Sequence, residues 1–434
     1  MNNFQNIVIA IFLAFFVFAV LIFSGLLNIG GNDTNKNTPQ GKIVIWGTFS
    51  SPDVYKVFDD TRDKNPDLTI SYVIKKESEY QQDLIEAFAA GTGPDLFIIS
   101  PDMVQKNKPF INKIPFASYP QKNFTSAFID GASVYIDKDG IIGLPLVVDP
   151  IVLYYNKDLL SNEGLADVPH YWDELFALTS QLTKKTDDGA ISQSTIGLGR
   201  FDNVHHAKDI LATLLLQNGN AIVSRTADGY TALLRDTTSN KPGSVTETVL
   251  NFFTEFSSPS YPAYSWNRSL PDSRDMFTSG KLALYIGRAS ELFTIQSINP
   301  NLSFDVAPIL QTRASPTKRT YGEIYALAVN KKSANSANAF QVAGILTSGD
   351  SAKNFAIATS LPPASRTLLS EKPTDPYVST FYNSAIITRT WLDPDTIKSD
   401  GIFAELIQNI LSNKLSVADA VNRAQSQLES IIKN

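Results

Sequence analysis

Between residues 42 and 99 the chain alternates β-rich runs with helical spacing, and this alternation limits its possible folds more than any other feature. Residues 42–46 (KIVIW) form a short β-rich run that ends at Gly47. Ser51-Pro52-Asp53 then opens a helix, since Pro is tolerated in a first turn whose N–H has no partner anyway. Val54, Val57, Phe58 and Thr61 follow at helical spacing, and Asn65-Pro66 stops the run. Residues 69–74 (TISYVI) alternate as a strand. Residues 80–90 are helical, with Leu84, Ala87 and Phe88 on one side and Gly91 as the stop. Residues 96–99 read as a buried strand. Strand–helix–strand–helix–strand implies a parallel sheet with helices on its faces.

The mixture continues downstream. Strands are predicted within 140–145 and 147–155, at 304–309 and at 325–329, and 277–287 runs from a helix end into a strand. Helices are predicted at 172–182, at 334–346 and at 207–217, the last ended by Asn218-Gly219. Residues 416–432 read as a helix with Ser416 and Asp419 at capping-box spacing and a stripe of Val417, Val421, Ala424, Leu428 and Ile431. The 434 residues exceed what one hydrophobic core serves, so two lobes are expected.

Several function classes are excluded by what the chain lacks. A net charge of −6 without a Lys/Arg cluster argues against nucleic acid as a partner. With no cysteine there is no disulfide, thiolate metal site, Cys nucleophile or lipid-modified Cys. The three histidines, His170, His205 and His206, make a multi-histidine metal site unexpected, and adjacent side chains diverge on a helix. Gly280-Lys281 lacks the earlier Gly of a phosphate loop, and no G-x-S-x-G elbow or H-E-x-x-H occurs. No cofactor is expected.

Residues 7–27 (IVIAIFLAFFVFAVLIFSGLL) carry no charge, and about 20 apolar residues cross the hydrocarbon core as a helix. No basic start and no clear A-x-A cleavage site accompany the run, so it reads as an uncleaved single-pass anchor over 1–28, not a removed signal peptide. Residues 29–40 lack an apolar pattern and read as a flexible linker.

From Lys42 onward, the order of segments resembles the family 1 extracellular solute-binding proteins of ABC importers, the group that includes maltodextrin-binding protein. KIVIWGTF resembles the family's opening strand and first ligand loop, and AFAAGTGPDLFIISPD its helix, Gly-x-x-Pro-Asp turn and strand. GIIGLPLVVDPIVLYYNKDLL resembles the crossover segment, and VPHYWDELFALTSQL the P-x-T-W-x-E-L helix with Tyr171 in place of Thr. MFTSGKLALYIGRAS resembles F-x-x-G-x-A-M with Leu284 in place of Met, and FDVAPIL the strand before the return crossover. The resemblance implies an α/β, two-lobed periplasmic-binding-protein-like fold with a hinge. Lobe 1 is expected at 41–148 plus 318–360, and lobe 2 at 149–317 plus 361–434.

Ligands of open α/β sheets sit beyond the C-terminal ends of strands, which selects the loops at 47–50 and 100–102. Trp46 and Phe49 offer apolar faces and Thr48 a hydroxyl, the two kinds of group that a sugar needs; Trp46, closing a strand, also suits core packing. By the resemblance Asp102 aligns with a carboxylate that receives sugar hydroxyls, although it also suits a helix N-cap after Pro101. Asp95 reads as a turn residue. Asp149 falls at the first crossover, as a ligand contact or as a partner of a backbone N–H or an Arg, because a buried acid needs pairing. His205 and His206 precede the 207–217 helix, as ligand contacts or as part of the helix start. Arg288 stands where the family places a stacking aromatic, and can fork onto a carboxylate or a sugar hydroxyl, or pair with Glu291. Tyr321 and Glu323 lie at the return crossover. Trp266 and Trp391 suit stacking or core.

The resemblance thus implies a membrane-anchored, extracytoplasmic binding subunit, not an enzyme, that captures a carbohydrate-like solute by closure of two lobes. Its expected partners are the solute, ABC permease subunits and the membrane through the N-terminal helix, with the chain itself a monomer. A ligand-binding subunit of a membrane sensor would look almost identical, and a glycoside hydrolase would need two carboxylates facing one another across a sugar.

Overall fold

A computed structural model describes residues 41–433 apart from 67, 227–228, 236–243 and 372. The anchor expected at 1–28 and the linker at 29–40 lie outside the described residues, among which no helix is long and apolar enough to cross a membrane.

The first strand, β1 (Gly41–Gly47), buries Ile43 and Ile45 completely on one face. Each such burial stabilises by roughly 1.5–3 kcal/mol. α1 (Pro52–Asp63) begins where the sequence places it, with the Asp53 N–H donating to Ser51 Oγ at 3.3 Å. β2 (Leu68–Ile74) runs parallel to β1, with Ile43 opposite Ile70. α2 (Glu77–Ala90) ends at Gly91, whose φ of 73° lies in the left-handed region that glycine adopts without strain. β3 (Leu96–Ile99) is buried along its whole length and is parallel to β1.

Downstream follow β4 (Leu144–Asn156), α3 (Leu175–Leu182), β5 (Ile191–Ile196), α4 (Ala207–Gln217), α5 (Val245–Glu255), α6 (Ser273–Thr278), β6 (Leu282–Arg288), β7 (Phe304–Pro308), β8 (Thr320–Asn330), α7 (Ser336–Leu346), α8 (Gly349–Thr359), α9 (Thr396–Leu411) and α10 (Val417–Lys433). β4 fuses much of the two runs expected at 140–155 and continues through Pro150. The helix expected at 172–182 opens as a 3-10 turn, Trp172–Glu174, before α3. The capping box of α10 is present: Asp419 N–H donates to Ser416 Oγ at 3.1 Å, and Ser416 Oγ donates to the Asp419 carboxylate at 2.7 Å.

The chain divides into two compact units. Of the described residues, one takes those from Gly41 to Val147 and again Ile324–Ser370; the other takes Val148–Glu323 and those from Glu371 to Lys433. The return crossing therefore falls after Glu323, where residue 317 was expected, and the last crossing after Ser370, where 360 was expected. Local bonds explain both. Thr320 Oγ1 donates to Ile151 O at 2.8 Å and Thr320 pairs with Thr388, so the start of β8 belongs to the second unit. Ala364 N–H donates to Leu146 O at 3.0 Å and its carbonyl accepts from Ile129 N–H at 3.1 Å, which keeps the 361–370 segment in the first.

In the first unit the sheet order is β2-β1-β3-β8, with β8 antiparallel and Val329 opposite Leu96. In the second the order is β5-β6-β4-β7, with β6 antiparallel to β4 and Arg288 opposite Ile151. Here Gly322 of β8 passes so close to β4 that a Cβ would lie 2.8 Å from Asp149 O and Pro150 Cα. Both obstacles are backbone, so only glycine fits without a shift of the strands. α10 packs on α9 and α5 through Ala420, Val421, Ala424 and Leu428.

Candidate functional site

The polar residues with the most unusual surroundings gather in the second unit, at the end of β6 and the start of α4. His206 is the N-cap of α4 and has φ 58°, in the left-handed region. That conformation costs a β-carbon residue roughly 1–2 kcal/mol. It also removes the premise that neighbouring side chains diverge, because neither histidine is inside the helix. The rings of His205 and His206 turn to the same side, with centroids 4.4 Å apart at 75°.

Both rings reach Glu291, which the 3-10 turn Ala289–Glu291 folds back beneath the end of β6. His206 Nε2 lies 3.0 Å from Glu291 Oε2, and His205 Nε2 lies 3.5 Å from Oε1. Glu291 also accepts from Tyr285 OH at 2.9 Å, from the Arg288 backbone N–H at 3.0 Å and from Arg274 Nη1 at 3.4 Å. Burial alone would raise its carboxyl, but the His206 contact, the nearby imidazoles and the Tyr285 hydrogen bond outweigh it and bring the pKa down to about 2.

Asp209, one turn into α4, accepts from Arg288 Nε at 3.0 Å and Nη2 at 2.8 Å, and lies 3.2 Å from His206 Nδ1. Its carboxyl is buried, yet the Arg288 guanidinium and His206 hold it well below the usual carboxylate range. The complement holds at His206: burial favours the neutral ring, but Asp209 and Glu291 together push it up to about 9. Arg288 Nη2 also lies 3.4 Å from Glu323 Oε1, which accepts from Tyr321 OH at 2.7 Å.

Asp149 is buried and accepts from the Ser290 N–H at 3.0 Å; burial raises its carboxyl, and Arg288 and Ser290 oppose that rise. Thus Asp149, His205, Arg288, Tyr321 and Glu323 meet in one network. Its other members are His206, Asp209, Asp272, Arg274, Tyr285 and Glu291. Asp209 sits in a run that reads as a strongly apolar helix, and the sequence reading does not single it out. Arg288, expected to fork onto a carboxylate or a sugar hydroxyl or to pair with Glu291, forks its guanidinium onto Asp209 and reaches Glu323, and its backbone N–H donates to Glu291.

The first unit presents a different set. Trp46 is half-buried at the end of β1, with Lys75 Nζ 3.9 Å from its ring centroid. Thr48 and Phe49 are half-buried in the following loop. The Phe49 ring sits edge-on to Tyr325 at 5.0 Å and to Phe355 at 5.4 Å. Asp102 lies within the 3-10 turn Pro101–Met103 and accepts from Ser100 Oγ, and Ser100 is the turn's N-cap. Asp95 ties the turn as its spacing predicts, accepting from Val44 N–H at 2.9 Å and Ser333 Oγ at 2.5 Å. Trp266 and Trp391, in the second unit, are both buried in the core; Trp266 Nε1 donates to Asn203 at 2.9 Å.

The sequence profile of the bacterial extracellular solute-binding proteins matches residues 50–353. The chain belongs to that family. A binding protein of Brucella abortus (strain 2308) is 25% identical over 297 residues, covering 66% of each chain, so this solute-binding protein spans just under two thirds of that relative's length. The galactooligosaccharide-binding protein of Bacillus subtilis (strain 168) is 26% identical over 198 residues, 45% of this chain and 43% of that one. Among solved structures, a cyclo/maltodextrin-binding protein complexed with maltotetraose superposes with a TM-score of 0.73 at 18% identity, over 93% of this chain and 99% of that one. The cyclic α-maltosyl-1,6-maltose binding protein from Arthrobacter globiformis superposes with a TM-score of 0.74 at 17% identity, over 91% of this chain and all of that one (100%). These likenesses establish the two-lobed α/β periplasmic-binding-protein-like fold of this solute-binding protein. Its family captures solutes and is not a family of enzymes.

Proposed function

We propose that this solute-binding protein captures a carbohydrate and passes it to the permease of an ABC importer. The observation that carries the reading is the network around Arg288. It holds a guanidinium, carboxylates and imidazoles in fixed, hydrogen-bonded positions, and planar groups of this kind match the paired hydroxyls of a sugar. The galactooligosaccharide- and maltodextrin-binding relatives support the same ligand class. Arg288 stands where a stacking aromatic was expected, which favours a mono- or disaccharide over a long oligosaccharide.

Capture by closure of the two lobes, and a membrane tether through residues 7–27, belong to the same proposal. A tether keeps the protein near its permease and raises its effective concentration there.

A thermal-shift screen of the soluble part, residues 41–434, against sugars, polyols and sugar phosphates tests the ligand class. A ligand at about 100 times its dissociation constant adds roughly 2.7 kcal/mol to the folded state, a visible rise in melting temperature. A sugar hit that weakens at least tenfold in Arg288→Lys supports the reading, because Lys keeps the charge and loses the fork. No response to any sugar removes it.

A further inference from the structure

We propose that His205, His206 and Glu291 form a binding site for a zinc-type divalent cation. The three side chains converge by their Nε2 and carboxylate atoms, and one donor atom from each lies within 4.8 Å of the others. His206 Nε2 lies 3.0 Å from Glu291 Oε2 and His205 Nε2 3.5 Å from Glu291 Oε1, so each imidazole faces one oxygen of the same carboxylate near the ~3.3 Å donor–donor spacing of a tetrahedral site with metal–ligand bonds of ~2.0–2.1 Å.

The outer partners make the stronger argument. A metal-bound histidine donates its other ring N–H to a carboxylate, which fixes the tautomer and aims the free nitrogen. Both histidines have this partner: His206 Nδ1 lies 3.2 Å from Asp209 Oδ2, and His205 Nδ1 lies 3.5 Å from Asp272 Oδ2. Each ring therefore carries a carboxylate behind and turns Nε2 toward Glu291. Glu291 is oriented in turn by Tyr285 OH and the Arg288 backbone N–H.

The left-handed backbone at His206 is what lets two consecutive residues serve one point, and the network holds it in place. Charge favours a cation: the four carboxylates of Asp209, Asp272, Glu291 and Glu323 gather around the guanidiniums of Arg274 and Arg288 and the two imidazoles. The site is also reachable, since the His205 side chain is 30% exposed while Glu291 beneath it is 10% exposed. Two imidazoles and a carboxylate suit zinc and its neighbours in the transition series, not magnesium or calcium, which take oxygen donors.

Zinc would bind here whether or not a sugar is present. The untagged soluble chain is stripped with a chelator, titrated with zinc sulfate by calorimetry, and assayed for retained metal after gel filtration. One zinc per chain is expected, with no binding of magnesium or calcium. His205→Ala and Glu291→Gln should each weaken zinc binding at least 100-fold, and His170→Ala, away from the cluster, should leave it unchanged. Asp272→Asn keeps the oxygen that caps α6 and removes only the charge behind His205; it should weaken zinc about 10-fold or more. This variant decides the matter if the others fail to fold. The proposal is overturned by the lack of stoichiometric zinc, or by zinc that binds Asp272→Asn and His205→Ala as it binds the parent.

Discussion

The two units prepare their candidate ligand residues by opposite means. In the first, Trp46 and Phe49 are half-buried aromatics at a strand end, held by ring contacts with Lys75, Tyr325 and Phe355. In the second, charged groups hold one another: Asp209 is fixed by Arg288 and His206, and Glu291 by His206, Tyr285 and Arg288. Aromatic edges adapt to small shifts and lose little when one contact goes. A network of largely buried charges is intolerant, because each member removed leaves another without its partner where it is poorly solvated.

The largest test of this contrast is Asp209→Ala. It strands the Arg288 guanidinium and the His206 imidazole together, and we expect a loss of about 3–5 kcal/mol in urea denaturation. A loss below 1 kcal/mol would mean the network is as forgiving as the aromatic loop. Phe49→Ala in the first unit should cost less, roughly 1–3 kcal/mol, because the ring is only half-buried.

The first unit has a buried charged cluster too, and it sharpens the comparison. Asp137 is buried, and although burial opposes its charge, Lys108 at 2.9 Å and Lys113 at 3.1 Å hold its carboxyl well below the usual range. A depressed carboxyl contributes stability that is present above the unfolded pKa of about 3.9 and is lost as pH falls further. The lysines are partly exposed, so solvent screening reduces the contribution to on the order of 2 kcal/mol. Asp137→Asn should flatten the acid limb below pH 4, and an unchanged limb would place the acid sensitivity elsewhere.

The smallest effects should be the same in both units. Ser51→Ala and Ser416→Ala each remove one helix cap and should each cost about 1 kcal/mol. A marked difference between them would show that the units differ in more than how they hold charge.

Local patterns made much of the fold legible. KIVIW, the Ser51-Pro52 start, the Gly91 stop and the Ser416–Asp419 spacing each act over a few residues, and each appears where the sequence places it. The two runs expected at 140–145 and 147–155 broke after Pro145, whereas one strand continues through both Pro145 and Pro150, because a proline inside a buried strand is rare and only the neighbouring chain shows how it is accommodated. α5, α8 and α9 carry apolar residues that meet partners far along the chain, so their own spacing did not announce them. At the candidate site, His205, Arg288 and Glu323 were legible by type and position. Asp209 was not, since a lone acid on a helix is usually solvated, and its role depends on an arginine 79 residues away. The shared direction of the two histidines was hidden as well, because it follows from one positive φ at His206.

The discontinuous chain path has a consequence for synthesis and export. β3, with all four residues of LFII buried, pairs with β8, whose residues are made only after most of the second unit. Until then β3 offers an open apolar edge to any extended chain nearby. A chain that stops short of Ile324 keeps that edge for good. Ribosome stalling or proteolytic trimming within the second unit is therefore expected to yield an adhesive fragment, one that a holding factor bound to the unfinished chain would shield.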